Sequence, residues 1–492
     1  MIKPSTKEAI ISECRRLCDT FGLAQVYLAE AIGPRRHYLA GYGQPSLDKP
    51  EQLRLSDRIA VLWHGTISPE IRGIIRRKFR SLTDLVEHEL SLREPSHSGM
   101  RHASQPKGNR NMHADPLTPY GNRPMVTPIV NAVNYEYASF EVLRQITDGE
   151  IDGYTYHRDD NPTVREVEHK IAALEEAEDC IVCTSGMAAC TMTFLTYLHT
   201  GDHMIIFHDT YGANYKVCLI LEQLGVDITW VDASDAGQIE DHLKPNTRMI
   251  FLETPSNPLC KIIDLEHIRR AADTVGAMMV VDNTFATPYH QHPLKYGADL
   301  VIHSATKGLG GHNDIMAGAI AGSKEHYNEL WFTRQAIGTT LDAYSAFLLS
   351  RGLKTFELRA ATVAETAQKV AEALAPHAKI SRLSYPGLPS HPGHEIAQKQ
   401  MFRGFGGLMA FDIGDCQDDA KEFIKHLKVI YHAVSLGATE SLICIPYLTT
   451  MLYLPPERRT TFGVKENTVR LSIGIEPAER ILEDIDQALA AV

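Results

Sequence analysis

LVIHSATKGLGGHND, residues 300–314, decides how the rest of the chain is read. Its first half is an apolar run, hydroxyls follow at Ser304 and Thr306, and Lys307 then opens a glycine-rich loop. A strand that is apolar at consecutive positions is covered on both faces, the habit of parallel sheets flanked by helices. Ligands of such sheets bind beyond the C-terminal ends of the strands, which is where Lys307 falls. A lysine at the edge of an apolar core sheds its proton readily and can form a Schiff base. Met alone, a lysine is a solvated surface residue, so its position carries the reading.

The same texture extends outward. CIVCT (180–184), HMIIFH (203–208), DITWVD (227–232), RMIFLET (248–254), AMMVVDN (277–283) and MAGAIAG (316–322) read as strands. Helical stretches such as VCLILEQLG (217–225) and LEHIRRAADTVG (265–276) separate them. The alternation predicts an α/β domain with a mainly parallel sheet over 171–355. A long helix, FELRAATVAETAQKVAEALAPH (356–377), leads into a smaller C-terminal α/β domain over 356–492.

Three further strand-end loops matter. In CTSGMAAC (183–190), Ser185 and the amides of Gly186 and Met187 open a helix and could hold a phosphate; by itself this is an ordinary tight turn. In HDTYGANYK (208–216), Tyr211 puts an aromatic ring over the same mouth, where it could stack on a flat heteroaromatic ligand or simply pack on the surface. In MMVVDNTFATP (278–288), Asp282 ends an apolar strand, where a carboxylate is costly unless it caps a turn or faces a protonated ring nitrogen. A phosphate cradle, a stacking ring, a carboxylate and a lysine are together what pyridoxal 5'-phosphate needs. The conjunction is far more specific than any one of its members.

From about residue 113 onward the chain resembles the Cys/Met-metabolism pyridoxal-phosphate enzymes, most of all their plant-type cystathionine γ-synthase branch. The strings that carry the likeness are YHRDDNPT (156–163), TSGMAA (184–189), ETPSNP (253–258), DNTFATP (282–288), HSATKGLGGHND (303–314), YPGLPSHPGH (385–394) and VRLSIGIE (469–476). The resemblance implies fold type I, aspartate-aminotransferase-like, with a homo-oligomer built of active dimers. It implies that Lys307 carries the cofactor and moves protons, with Asp282 at the ring nitrogen, Tyr211 on the ring and Asn257 near the phenolic oxygen. Gly186, Met187, Ser304 and Thr306 would hold the phosphate. Tyr156 and Arg158, in an arm over 116–170, would reach a neighbouring subunit's site. Arg470 would clamp the substrate carboxylate, with Ser435 on the same wall.

The implied reaction is replacement at Cγ of an O-activated homoserine by cysteine, giving cystathionine. An O-acylhomoserine sulfhydrylase or a methionine or cystathionine γ-lyase is the alternative. Val434 and Thr155 stand where some members carry acids. Ala213 stands where methionine γ-lyases carry a cysteine, which counts against that activity. Lys216 falls where some synthases place an arginine facing a distal acyl group.

The first hundred residues differ from the rest. Of the 492 residues, 1–115 hold 18 Lys/Arg against 13 Asp/Glu, while the whole chain carries 49 against 61 and a net charge of −12. This marks a separate unit. Apolar spacing predicts helices over 5–92, and a Ser/Pro/Gly/Asn/His-rich stretch over 96–115 reads as a linker whose His97, His102 and His113 are solvated. LAQVYLAEAIGPRRHYLAGYG (23–43) loosely resembles a helix-turn-helix, and RGIIRRKFR (72–80) is a basic run, but the overall acidity disfavours nucleic acid as a partner. A helical interaction domain is the expectation here. No apolar run is long enough to span a membrane. Nine cysteines, and no signal core at the start, point to the cytoplasm. Cys180 and Cys183 form a lone CxxC on an apolar strand, so no metal site is expected from it.

Overall fold

The computed structural model describes residues 8, 10–12, 14–16, 26–32, 35–42, 51–54, 59–63, 124–148, 150–151, 153–452, 454 and 463–492. They fall into two compact units, Met1–Gln105 with Glu136–Gly153, and Pro106–Tyr135 with Tyr154–Val492.

The first unit begins with helical residues in which Ile10 and Cys14, one turn apart, are buried. The helical expectation fails after that. Four strands follow: β1 (Val26–Ile32), β2 (Arg35–Tyr42), β3 (Glu51–Arg54) and β4 (Ile59–Trp63). They form an antiparallel sheet in the order β2-β1-β4-β3, with Ile32 opposite Arg35. The segment likened to a helix-turn-helix therefore holds two paired strands. Its Gly33-Pro34 pair interrupts a helix, and Val26, Tyr27, Ile32, Tyr38 and Tyr42 favour extended chain. Short apolar runs satisfy a helical spacing as easily as a strand, which is how the pattern misleads. The expected helix over 69–90, the basic run 72–80 and the linker 96–115 lie outside the described residues. A helix at Phe140–Thr147, capped by Ser139 Oγ accepting the Val142 amide at 3.2 Å, belongs to the same unit.

In the second unit each of the seven apolar runs is a strand. These are β5 (Asp179–Cys183), β6 (His203–Phe207), β7 (Asp227–Val231), β8 (Thr247–Glu253), β9 (Met278–Asp282), β10 (Leu300–His303) and β11 (Gly318–Gly322). Their order is β5-β11-β10-β9-β8-β6-β7. The pairs from β10 through β7 are parallel; β11 runs antiparallel to both β10 and β5, a local departure from the expected parallel sheet. Alternate residues serve opposite faces. Met204, Ile206, Phe251 and Val280 pack with the Gly186–Tyr197 helix, and Ile205, Ile250, Leu252 and Val281 pack with the Leu265–Val275 helix. Each such fully buried side chain contributes roughly 1.5–3 kcal/mol of transfer free energy.

The chain leaves β6 outward to β7 and returns to β8 on the other side of β6. That reversal opens a crevice at the strand ends. The Phe356–Leu374 helix then leads to a second sheet, β12 (Ile380–Ser384), β13 (Leu408–Ile413), β14 (Tyr431–His432), β15 (Leu442–Cys444) and β16 (Thr468–Ser472), ordered β12-β13-β16-β15-β14. Among the described residues no helix is long and apolar enough to cross a membrane.

Candidate active site

The crevice holds a cavity of about 530 Å³, of the size that takes a cofactor with its substrate. Ser185, Gly186, Met187, Tyr211, Asn257, Asp282, Ser304, Thr306, Lys307, Ser435 and Arg470 all line it. The sequence scatters these residues over nearly three hundred positions, and the strand ends bring them together.

At one end, Ser185 caps the Gly186–Tyr197 helix, its Oγ accepting the Ala188 amide at 3.0 Å. The first amides of a helix have no partner within it and favour an anion. Gly186 packs so closely on the Ser304 loop that a Cβ there would lie 2.7 Å from Ser304 Cβ. Thr306 already exchanges hydrogen bonds with Ala317, donating to its carbonyl at 3.2 Å and accepting from its amide at 2.9 Å.

On the floor, Asp282 is buried, its Oδ1 accepting the Thr284 amide at 3.0 Å. Burial pushes its pKa up, while the bond to Thr284 and the nearby His303 pull it down. No ion pair reaches it among the described residues, so a cationic ring nitrogen would complete it. Glu253 ends β8 in register with Asp282 and accepts the Tyr211 amide at 3.0 Å, which fixes the backbone under the aromatic ring.

Lys307 Nζ donates to Ser435 Oγ at 2.6 Å. Burial, then the positive charge of Arg470, pulls the lysine pKa down to about 8. Arg470 is 2% exposed, donating from Nη1 to Asn257 Oδ1 at 3.1 Å and from Nη2 to the Ser435 carbonyl at 2.9 Å. Its Nε is buried with no hydrogen-bond partner, and no carboxylate pairs with it among the described residues. A buried guanidinium with an unsatisfied donor and no ion-pair partner is a seat for an incoming carboxylate.

Comparison with known proteins decides the family. Residues 110–490 match the family model for the Cys/Met metabolism PLP-dependent enzymes. The chain belongs to that family. It is 42% identical over 360 residues to the cystathionine γ-lyase of Bacillus subtilis, covering 73% of this chain and 94% of that one. It is 39% identical over 374 residues to the chloroplastic cystathionine γ-synthase 1 of Arabidopsis thaliana, covering 75% and 66%. The crystal structure of the Xanthomonas oryzae cystathionine γ-synthase with cystathionine superposes with a TM-score of 0.74 at 34% identity, over 79% of this chain and 98% of that one. The fold is type I, the protein is an enzyme, and its cofactor is pyridoxal phosphate. Members of the Cys/Met metabolism family carry out elimination or replacement at Cβ or Cγ of amino acids.

The remaining positions part company. Tyr156 is 43% exposed with the Arg158 guanidinium 5.7 Å from its ring, and Arg158 donates to the Gln335 carbonyl at 3.3 Å; neither lines this chain's cavity. Lys216 is exposed and does not line this chain's cavity. Cys180 and Cys183 are buried in β5, and burial pushes the Cys183 thiol up to about 12, which makes them packing residues. The sequence reading passed over Glu253, Asn214 and Leu448–Leu452. Glu253 carried a usable signal, since it ends an apolar strand as Asp282 does.

The lysine pKa gives a first prediction. If Lys307 bears the cofactor, only its neutral Nζ would attack the aldehyde, and a depressed pKa makes neutral amine available at lower pH. Cofactor capture by protein stripped of pyridoxal phosphate should rise with pH, reach half its maximum near pH 8 and level off above pH 9. An ordinary lysine would keep climbing to about 10.4. Stopped-flow absorbance would follow it, and a rate still rising past pH 10 contradicts the buried, depressed amine.

Proposed function

We propose that this enzyme replaces the γ-substituent of an O-activated homoserine with the thiol of cysteine, forming cystathionine. The observation that carries the reading is the buried Arg470, its Nε without a hydrogen-bond partner, beside Ser435, whose hydroxyl takes Lys307 Nζ. A carboxylate seated on Arg470 brings the α-carbon of an amino acid to the lysine. When bound, pyridoxal phosphate supplies an aldehyde for the substrate amine and an electron-withdrawing ring.

Asp282 would keep the ring nitrogen protonated, Tyr211 would stack on the ring and Asn257 would donate to its phenolic oxygen. Ser185, Gly186, Met187 and Ser304 would hold the phosphate, with Thr306 bracing their loop. Lys307, once neutral, removes the Cα proton and returns it in later steps. The Cγ–O bond breaks with its electron pair on the departing acid, the cysteine sulfur bonds to Cγ, and the thiol proton balances the acid released. The active unit is a dimer within a homotetramer, with Tyr156 and Arg158 of each copy completing its neighbour's site.

Lys307 and Arg470 are the cations lining the cavity among the described residues, and the mouth is formed by Met316, Val434, Leu448 and Leu452. An apolar mouth suits an uncharged O-acetyl ester better than a succinyl or phosphoryl one. The same mouth seats a thioether, which favours γ-elimination from methionine or cystathionine as the second reading. The loaded enzyme would be assayed on O-acetyl-, O-succinyl- and O-phosphohomoserine with and without cysteine, and on methionine and cystathionine alone. Mass spectrometry should show cystathionine from the acetyl ester only when cysteine is present. Oxobutanoate formed from the thioethers, with no cystathionine from any ester, would replace the synthase with a lyase.

A further inference from the structure

Arg359 lies in the first turn of the Phe356–Leu374 helix, where the chain passes into its C-terminal part. It is 8% exposed, and among the described residues no carboxylate pairs with it. Its hydrogen bonds among the described residues go to neutral oxygens. Nη1 donates to the Gly308 carbonyl at 2.8 Å, Nη2 to the carbonyls of Gly352 at 2.9 Å and Leu309 at 3.4 Å, and Nε to Thr355 Oγ1 at 3.2 Å. Burial pulls its pKa down to about 10, with no partner charge opposing the fall.

A buried, unpaired cation costs stability, and an apolar side chain would fill the place more cheaply. What it holds are the carbonyls of Gly308 and Leu309, the two residues after Lys307. The surroundings are shaped for the grip. Gly311, at φ +74°, leaves the space the guanidinium occupies, since a Cβ there would lie 1.8 Å from Nη1. Gly437, at φ +72°, presses on Gly308 at its other end, its would-be Cβ 2.7 Å from the Gly308 nitrogen. Gly437 is two residues from Ser435, which receives Lys307 Nζ. Gly308, the residue next to Lys307, is thus clamped between Arg359 at its carbonyl and the Ser435–Gly437 segment at its nitrogen.

We propose that Arg359 is a positioning residue for Lys307, fixing the lysine loop so that Nζ stays buried against Ser435 at the reacting carbon. Charge alone is not enough, because a lysine has one point of attachment and cannot span three carbonyls from two segments. The proposal rests on Lys307 bearing the cofactor, and Lys307→Ala tests that separately.

Full-length Arg359→Lys and Arg359→Met enzymes would be compared with the unmodified holoenzyme in thermal stability, steady-state kinetics and the pH midpoint of cofactor capture. Both variants should lose about 10- to 100-fold in kcat, the cost of a displacement near 1 Å, with KM within about twofold. Their capture midpoint should move from about pH 8 toward the ordinary lysine value as Nζ gains water. If Arg359→Met fails to fold, Arg359→Lys carries the test. A lower melting temperature with kcat and midpoint unchanged would make Arg359 a structural residue only and overturn the proposal. Lys307→Ala still turning over would instead remove the reading of Lys307 itself.

Discussion

Replacing Lys307 with alanine is expected to lower turnover by at least about 10³-fold while leaving the fold intact. The variant loses two functions at once: the amine that joins the cofactor aldehyde and the base that removes the Cα proton, the latter alone worth roughly 10²–10⁴-fold. The fold should tolerate the change, because the side chain is held by a single hydrogen bond to Ser435 and its burial disfavours its own charge. Turnover under saturating cofactor, alongside a melting curve, is the measurement. Added methylamine should restore part of the rate by supplying a diffusing base. A variant keeping more than a few per cent of turnover without added amine would end the assignment.

Arg470→Met should cost about 10²–10³-fold in kcat/KM, with most of the loss in KM. Truncating one partner of a buried charge pair removes roughly 2–5 kcal/mol when the other partner must still be seated there. Arg470→Lys should recover little, because two parallel donors are lost. The free protein should not be destabilised in proportion, since among the described residues no carboxylate forms an ion pair with the guanidinium and its Nε has no partner. A second consequence has a fixed sign. Arg470 is the cation that, after burial, holds the Lys307 pKa down, so removing it favours the ammonium and moves the capture midpoint above pH 8. A large loss of kcat with unchanged KM would place Arg470 at the reacting bond instead of at the carboxylate.

Much of this site was legible because strands buried on both faces leave a plain trace. CIVCT, RMIFLET and AMMVVDN are apolar for a physical reason, and the polar residues that end such runs must face something. Asp282 and Lys307 were found that way. The direction of β11 left no such trace, since GAIAG reads the same in either orientation. The wall at Leu448–Leu452 was equally silent: its side chains gain meaning only from what folds opposite. Lys216, matched to relatives by position alone, is exposed and does not line the cavity of this chain. The strands before residue 64 were misread because short apolar segments carry too few residues to separate a period of 3.6 from one of 2.

The antiparallel pairing of β10 with β11 separates reaction from repertoire. The segment that carries Lys307 leaves the sheet at His303 and re-enters it on the neighbouring strand at Gly318, so both its ends are pinned one strand spacing apart. The facing wall also carries Leu448 and Leu452, which hang on a different stretch of chain. Libraries that randomise those two positions are expected to change which side chain the enzyme admits while the lysine loop keeps its station. In this molecule, what is done to a substrate and which substrate is chosen can be tuned apart.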